Sequence, residues 1–285
     1  MPRIPIALLR GLGALPLGLL HRLGSVLGWA MYGMSPTYRR HLRENLALAR
    51  YDHAPLRRRA IAAAGALVTE LPALWFRPHS EVVALVKEVQ GADDVLAAQR
   101  AGHAILFLTP HMGAFEVAAQ YAASHMPITV LYRRPKIGWL EPLMRAGRER
   151  GNVRLVPADL TGVRELFKAL ERAEAVGFLP DQVPGAGEGE WSDFFGRPAY
   201  TMTLAAKLAS RNNVATFVAF ARRLPRGAGY SIVLRRLPAA LTGESATRRV
   251  NRALEELVAL CPEQYLWGYN RYKTPQGAQP PPARE

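Results

Sequence analysis

The chain has 285 residues, 49% hydrophobic and 21% charged, enough for one large globular domain with a sizeable core. Lys and Arg number 37 against 23 Asp and Glu, a net charge of +14, which favours a polyanionic partner: nucleic acid, an anionic membrane surface or an acidic carrier protein. Cys261 is the single cysteine, which excludes an intrachain disulfide and a zinc site built on several thiolates.

Residues 1–34, MPRIPIALLRGLGALPLGLLHRLGSVLGWAMYGM, are apolar and basic, with no Asp or Glu. Arg10, His21 and Arg22 interrupt the apolar run and no small-residue cleavage site follows, so a secretory signal fits poorly. The longest stretches free of charge or His, 11–20 and 23–34, fall short of the roughly 20 residues a spanning helix needs, and Pro16 breaks the first. The segment reads as monotopic, its apolar faces in the bilayer and Arg3, Arg10 and Arg22 near anionic headgroups. A single spanning helix and an ordinary core hairpin stay open as alternatives. Ser35 followed by Pro36 predicts a capped helix over 36–50. A second helix is predicted from about Ala54 to Phe76, with Arg57, Arg58 and Arg59 on a solvated or lipid-facing side.

From residue 82 the texture changes. Short apolar runs at 82–89, 104–109, 127–132, 175–180, 214–220 and 230–236 read as strands. Helical patterns at 92–101, 114–125, 137–150, 161–173 and 199–211 alternate with them. The alternation predicts an α/β fold: a mixed, largely parallel sheet flanked by helices, with an N-terminal membrane-associated helical segment. RRLPRGAG between the last two strands predicts an antiparallel hairpin. A helix at about 245–260 precedes PEQYLWGYNRYK, and the Pro-rich end reads as a disordered tail. The expected organisation is thus a membrane-associating segment at 1–34, one α/β domain with its leading helices at 35–274, and a tail at 275–285.

Several familiar sites are absent: no G-x-S-x-G elbow, no G-x-x-x-x-G-K-[ST] phosphate loop and no H-E-x-x-H pair occur. PGAGEGEW at 184–191 has alternating glycines, but no helix clearly starts on them, so it reads as a loop near a ligand rather than a dinucleotide site. The informative stretch is LFLTPHMGAFEVAA at 106–119, a strand, a Thr-Pro break and a helix, with His111 at the break and Glu116 five residues on. If His111 precedes the helix, its ring can fold back over the first turn, where Glu116 sits. A carboxylate on one ring nitrogen fixes the tautomer and leaves the other nitrogen to take a proton. A histidine at a helix start is also a common capping or packed residue, so the pair by itself leaves its role open. His103 and His125 lack the pattern and read as structural.

PHMGAFE resembles the H-x4-[D/E] motif of the glycerolipid and lipid A acyltransferases, and further blocks follow in that family's order. VLYRRPKIGWLEPLM (130–144) is similar to its Tyr-Arg block. VGFLPDQVPGAGEGEWSDFFGRPAYTMTLAAKLA (176–209) resembles its Asp-Gln and F-F-G blocks. CPEQYLWGYNRYKT (261–274) resembles its closing signature. Together they cover roughly 100–275 and point to the bacterial late acyltransferases of lipid A biosynthesis, the lauroyl/myristoyl type.

The resemblance implies acyl transfer from acyl carrier protein to a hydroxyl of a lipid A precursor at the cytoplasmic face of the bacterial inner membrane, with no cofactor and no metal. It implies His111 as general base and Glu116 as its orienting group. Arg133 would serve the oxyanion or a phosphate, and Asp181 would support the site or the acceptor. Arg197 would meet a phosphate or pair with a carboxylate. Backbone N–H groups near Met112–Ala114 are expected to help stabilise the oxyanion. Phe115, Trp139, Trp191, Phe194 and Phe195 are candidates for an apolar acyl channel, with core packing the expected role for at least half. Acidic carrier, phosphorylated acceptor and anionic membrane would each suit a charge of +14. An acceptor that is another membrane lipid is the alternative. A nucleic-acid-binding reading rests on charge alone, without a supporting motif.

Overall fold

The computed structural model describes residues 3–135 and 137–281; the side chain of Arg3 and residues 282–285 of the expected tail lie outside the described residues. Four helices lead the chain: α1 (Arg3–Ala14), α2 (Leu17–Met34), α3 (Pro36–Leu48) and α4 (Ala54–Phe76). Pro16 separates the first two, because it cannot donate the N–H that a continuous helix requires. Ser35 caps α3 as predicted, its Oγ accepting from Tyr38 N at 3.2 Å with Pro36 in the first turn.

Helices α2 and α4 touch almost backbone to backbone. A Cβ on Gly28 would stand 2.1 Å from the Ile61 carbonyl oxygen, and one on Gly65 would stand 1.8 Å from that of Gly24. Hydrogen at these positions is what lets the two helices close. The opposite side of α2 exposes Leu19, Leu23, Val26, Trp29 and Met34, close to Arg22. Among the described residues, α4 is the helix long and apolar enough to cross a bilayer by length and composition, but half of its most apolar window is buried in the protein.

After the short α5 (His79–Ala84), β1 (Val86–Gln90), α6 (Ala92–Arg100), β2 (Ala104–Leu108), α7 (Phe115–Ala123), β3 (Ile128–Tyr132), α8 (Leu140–Arg148), β4 (Val153–Pro157), α9 (Leu160–Glu171) and β5 (Ala175–Phe178) follow. A hairpin of β6 (Gly189–Phe194) and β7 (Arg197–Met202) leads into α10 (Thr203–Ala209), β8 (Val214–Arg223), β9 (Tyr230–Arg236) and α11 (Ala246–Ala259). The main sheet has seven strands in the order β1-β9-β8-β2-β5-β3-β4. Strands β8, β2, β5, β3 and β4 are mutually parallel; β9 is antiparallel to β8, and β1 runs alongside β9. The mixed, largely parallel sheet expected from the alternation is therefore present, including the β8–β9 hairpin.

Both faces of β2 are buried, as a central parallel strand requires. Leu106, Leu108, Val176, Phe178, Val218 and Phe220 pack against α9, α10 and α11. Ile105, Phe107, Ala175, Phe217 and Ala219 face the other way, against α6 and the end of α7.

Three sequence boundaries need correction. The run 82–89 is split, because Pro78 starts helix α5 and only Val86–Gln90 joins the sheet. Strand β4 is missing from the sequence reading: it is a short edge strand whose alternation, with Arg154 exposed, ends in the consecutively buried Leu155 and Val156. The helix expected over 199–211 starts at Thr203, because Tyr200 and Thr201 complete the β6–β7 hairpin. In the tail, Trp191 Nε1 donates to the Gln279 carbonyl at 2.9 Å, which lays that segment against the hairpin.

Candidate active site

The five parallel strands end at one edge of the sheet, and the chain leaves each there in a loop. Open α/β sheets bind ligands at this edge. Thr109 N still bonds Phe178 O, then Pro110 stops the ladder and His111 opens a tight turn to α7. Gly113 holds φ +57°, and a Cβ there would lie 2.1 Å from the Ala221 carbonyl, so the turn requires glycine.

The turn is tied down by its own backbone. Met112 N donates to Pro110 O, Gly113 N to Gln264 O and Ala114 N to Ala221 O, while His111 O accepts from Leu266 N. The amides of Met112–Ala114, expected as oxyanion donors, are thus spent on protein carbonyls. The PEQYLW segment supplies two of these bonds and locks itself in place. The Gln264 side chain accepts from Arg223 N at 2.9 Å and donates to Arg223 O at 3.1 Å.

The ring of His111 faces the end of β5. His111 Nδ1 lies 2.7 Å from Asp181 Oδ1, and His111 N donates to Asp181 Oδ2 at 2.8 Å. Burial alone would raise the Asp181 pKa. The His111 imidazole, its two hydrogen bonds and the Arg271 guanidinium outweigh that and hold the carboxyl below its ordinary value. Arg271 is itself buried, which lowers its pKa, and it donates to Tyr200 O and Thr201 Oγ1. An ionised carboxylate only accepts, so Nδ1 carries a proton and Nε2 presents a lone pair. Facing that lone pair is Gln182 Nε2, 3.1 Å away. His111 stays about one-fifth exposed, whereas Asp181 is buried.

The contact expected between His111 and Glu116 is replaced by another. Glu116 sits in the first turn of α7 with its carboxylate turned toward α8, where Arg148 Nε donates to Oε2 at 2.8 Å and Nη2 pairs with Oε1. Arg148 also lies over the Trp75 ring at 6.0 Å. The Gly113 turn sends the imidazole toward β5 and the first turn of α7 toward α8, so the two side chains part. The glutamate's charge pair raises the Arg148 pKa against the lowering by burial.

A third buried carboxylate lies behind the turn. Glu70 of α4 accepts from Arg223 Nε at 2.9 Å and Nη2 at 2.6 Å, from Tyr230 OH at 3.1 Å, and meets His21 Nε2 at 3.1 Å. Arg223 Nη2 also donates to Gly113 O at 2.7 Å. Burial would raise the Glu70 pKa, but Arg223 and His21 bring it below its ordinary value.

Other expected residues are dispersed. Arg133 is exposed at the end of β3, separated from β2 by β5, and pairs with no carboxylate among the described residues. Arg197 is exposed on β7 and stacks over Tyr272 at 4.9 Å. Of the five aromatic channel candidates, Phe115 alone lines the large apolar cavity and also meets the His111 ring edge-on at 5.4 Å. Phe194 and Phe195 pack in an aromatic cluster with Tyr265 and Trp267, and Trp139 is exposed. His125 bonds locally with Ser124 and the Tyr121 carbonyl, a structural role.

That cavity, about 270 Å³, lies between α6, α7 and the Phe107 face of the sheet. Thr109, Phe115 and Leu179, the neighbours of His111 and Asp181 in the chain, line one end, and Ala119, Ala122 and Met126 continue along α7. From Phe115 to Ala122 the helix covers roughly 10 Å. Gly177 on β5 belongs to the wall, and a Cβ there would meet Ile128 Cδ1 at 3.4 Å, Val130 Cγ2 at 3.8 Å and Phe107 O at 4.0 Å, ordinary contacts. A longer side chain would therefore grow into the cavity.

Sequence reasoning missed Gln182, Arg223, Gln264 and Arg148 as members of this arrangement. Gln182 and Gln264 stand inside quoted blocks, Asp-Gln and P-E-Q, which was their available signal. Arg223 meets Glu70 across 153 positions, which no local pattern reveals.

The arrangement — a carboxylate-held imidazole whose second nitrogen meets a glutamine side chain, beside the end of an apolar cavity — suits transfer of a long acyl group to a hydroxyl. Residues 3–274 match the family described as bacterial lipid A biosynthesis acyltransferase. The chain is 27% identical to the lipid A biosynthesis lauroyltransferase of Escherichia coli K12, over 92% of this chain and 88% of that protein. It is 26% identical to the palmitoleoyltransferase of the same organism, over 81% and 78%, and 26% identical to a lipid A biosynthesis acyltransferase of Haemophilus influenzae, over 94% and 89%. The chain belongs to the bacterial lipid A biosynthesis acyltransferase family, and is an O-acyltransferase.

Proposed function

We propose that the protein moves a fatty acyl chain from the thioester of acyl carrier protein to a hydroxyl of a lipid A precursor, with His111 as the general base. The observation that carries this reading is the His111–Asp181 clamp beside the cavity end lined by Thr109, Phe115 and Leu179. In this reading Asp181, rather than Glu116, orients the imidazole and stabilises the imidazolium that forms. Glu116 with Arg148 fixes α7 against α8 and so steadies the cavity wall.

The acceptor hydroxyl gives its proton to His111 Nε2 while its oxygen attacks the thioester carbonyl carbon. The carbonyl electron pair moves onto oxygen. When the tetrahedral intermediate collapses, the C–S bond breaks and the thiolate takes the proton back from Nε2. The ester remains on the acceptor, and the enzyme is returned to its starting protonation state. The acyl chain lies along α7, out of water. Arg133, an exposed cation at the same sheet edge, suits a phosphate of the acceptor.

The exposed apolar side of α2, with Trp29 and Arg22 near it, supports seating on a membrane surface rather than crossing it. The cytoplasmic face of the inner membrane follows from the carrier-borne donor. With purified protein, acyl carrier protein thioesters and a lipid A precursor, His111→Ala should lower kcat on the order of 10²–10⁴-fold in protein shown by circular dichroism to be folded at the assay temperature. Turnover at the parent rate would remove His111 from the mechanism. In cells, loss of the protein should leave lipid A short of one secondary acyl chain, read by mass spectrometry.

A further inference from the structure

The open nitrogen of His111 is not vacant. Because Asp181 fixes the proton on Nδ1, Nε2 can only accept, and the Gln182 amide N–H at 3.1 Å fills its lone pair. An acceptor hydroxyl can reach that lone pair only by displacing this N–H. The four amides of the turn itself are already engaged. The His111 amide is bound to Asp181, that of Met112 to Pro110, that of Gly113 to Gln264 and that of Ala114 to Ala221. Arg223, the nearest buried cation behind the turn, is spent on Glu70 and Gly113 O.

We propose that Gln182 is a catalytic residue that rests on the base and, displaced by the incoming hydroxyl, turns its amide to the thioester oxygen. The backbone on either side supports such a swing without a loop movement. Asp181 is held by His111, and Val183 N donates to Tyr269 OH at 3.0 Å, so the peptide chain is pinned while the half-buried Gln182 side chain keeps its rotatable bonds. The reacting hydroxyl oxygen occupies a position roughly 3 Å from Nε2, with the carbonyl it attacks directly beyond. The displaced amide thus stands one rotation from where negative charge develops. A side-chain donor of this kind stabilises the transition state more than the ground state, and its loss appears in kcat. The inference rests on His111 acting as the base.

The test compares Gln182→Ala and Gln182→Glu with the parent and with His111→Ala, using full-length protein in detergent, lauroyl acyl carrier protein and a lipid A precursor. Glu keeps the length of Gln but, ionised, has no N–H to give. Both Gln182 variants should fold with parental melting curves and lose about 100-fold in kcat, with KM for the thioester within about threefold. A kcat within about threefold of the parent for either variant, or a loss confined to KM, overturns the role of Gln182 while an inactive His111→Ala leaves the base in place. Parental turnover by His111→Ala overturns both.

Discussion

Of the buried carboxylates around the His111 turn, Glu70 and Asp181 are built to different ends. Glu70 is sealed: Arg223, Tyr230 and His21 surround its oxygens, and Arg223 goes on to hold the Gly113 carbonyl. Asp181 is equally buried, but its principal partner is an imidazole whose far nitrogen meets the Gln182 side chain. A closed pair of charges stabilises only as a unit and fixes backbone. A carboxylate bound to a ring about one-fifth exposed polarises an imidazole instead of closing on a fixed cation. The difference teaches how one turn can join two environments: the Glu70–Arg223 pair holds the Gly113 carbonyl, while Asp181 holds the His111 amide and ring.

Breaking the sealed side should cost the most stability. Glu70→Ala leaves Arg223 buried without its counter-charge and should destabilise the protein by about 3–5 kcal/mol in denaturant titration. Retention of the parental midpoint would mean that water or a rearranged partner already serves Arg223. Gly28→Leu forces α2 off α4 and should cost about 1–3 kcal/mol or more by the same measurement, with the His111 turn disturbed only through Glu70. A neutral result would show that the helices do not close as tightly as described.

A smaller effect concerns chain length. Gly177→Leu should raise the ratio of lauroyl to palmitoyl transfer by about tenfold in competition assays, because the side chain fills the cavity without touching the base. An unchanged ratio would place the acyl chain elsewhere. The smallest effect is on acid stability. Asp181 and Glu70 both have folded pKa values below their ordinary ones, so their contribution is complete above the unfolded carboxylate pKa and fades as pH falls through the folded values. The melting temperature should therefore be flat near neutral pH and decline only in acid, and Asp181→Asn should flatten part of that decline.

Much of this architecture was legible in the sequence. The hydrophobic runs of β2, β5 and β8 are continuous because both their faces are buried, and that pattern announces a parallel sheet without homologues. Edge elements were harder. β4 and the β6–β7 hairpin are short and carry polar residues on the solvent side, so periodicity could not separate them from loops or helix starts. In the candidate site, the strand end at 104–109 draws attention to His111, and the structure puts it at the carboxyl edge of the sheet. Its partner was misassigned because spacing along the chain favours Glu116, while the sheet order brings β5 next to β2 and Asp181 to the ring across 70 positions. Arg133 was read from the end of β3, one strand further out. The aromatic residues of the F-F-G block went to the core, since Phe195 takes φ +48° and packs against Tyr51 and Trp267.

The most direct test of the account is a paired measurement of kcat for Asp181→Asn and Glu116→Gln in the same acyl-transfer assay. With Asp181 holding the base, Asn should invert the tautomer preference and lower kcat on the order of 10³–10⁴-fold. Glu116→Gln should stay within about tenfold of the parent, since it touches α8 and not the imidazole. The reverse order, a near-parental Asp181→Asn beside an inactive Glu116→Gln, would contradict it.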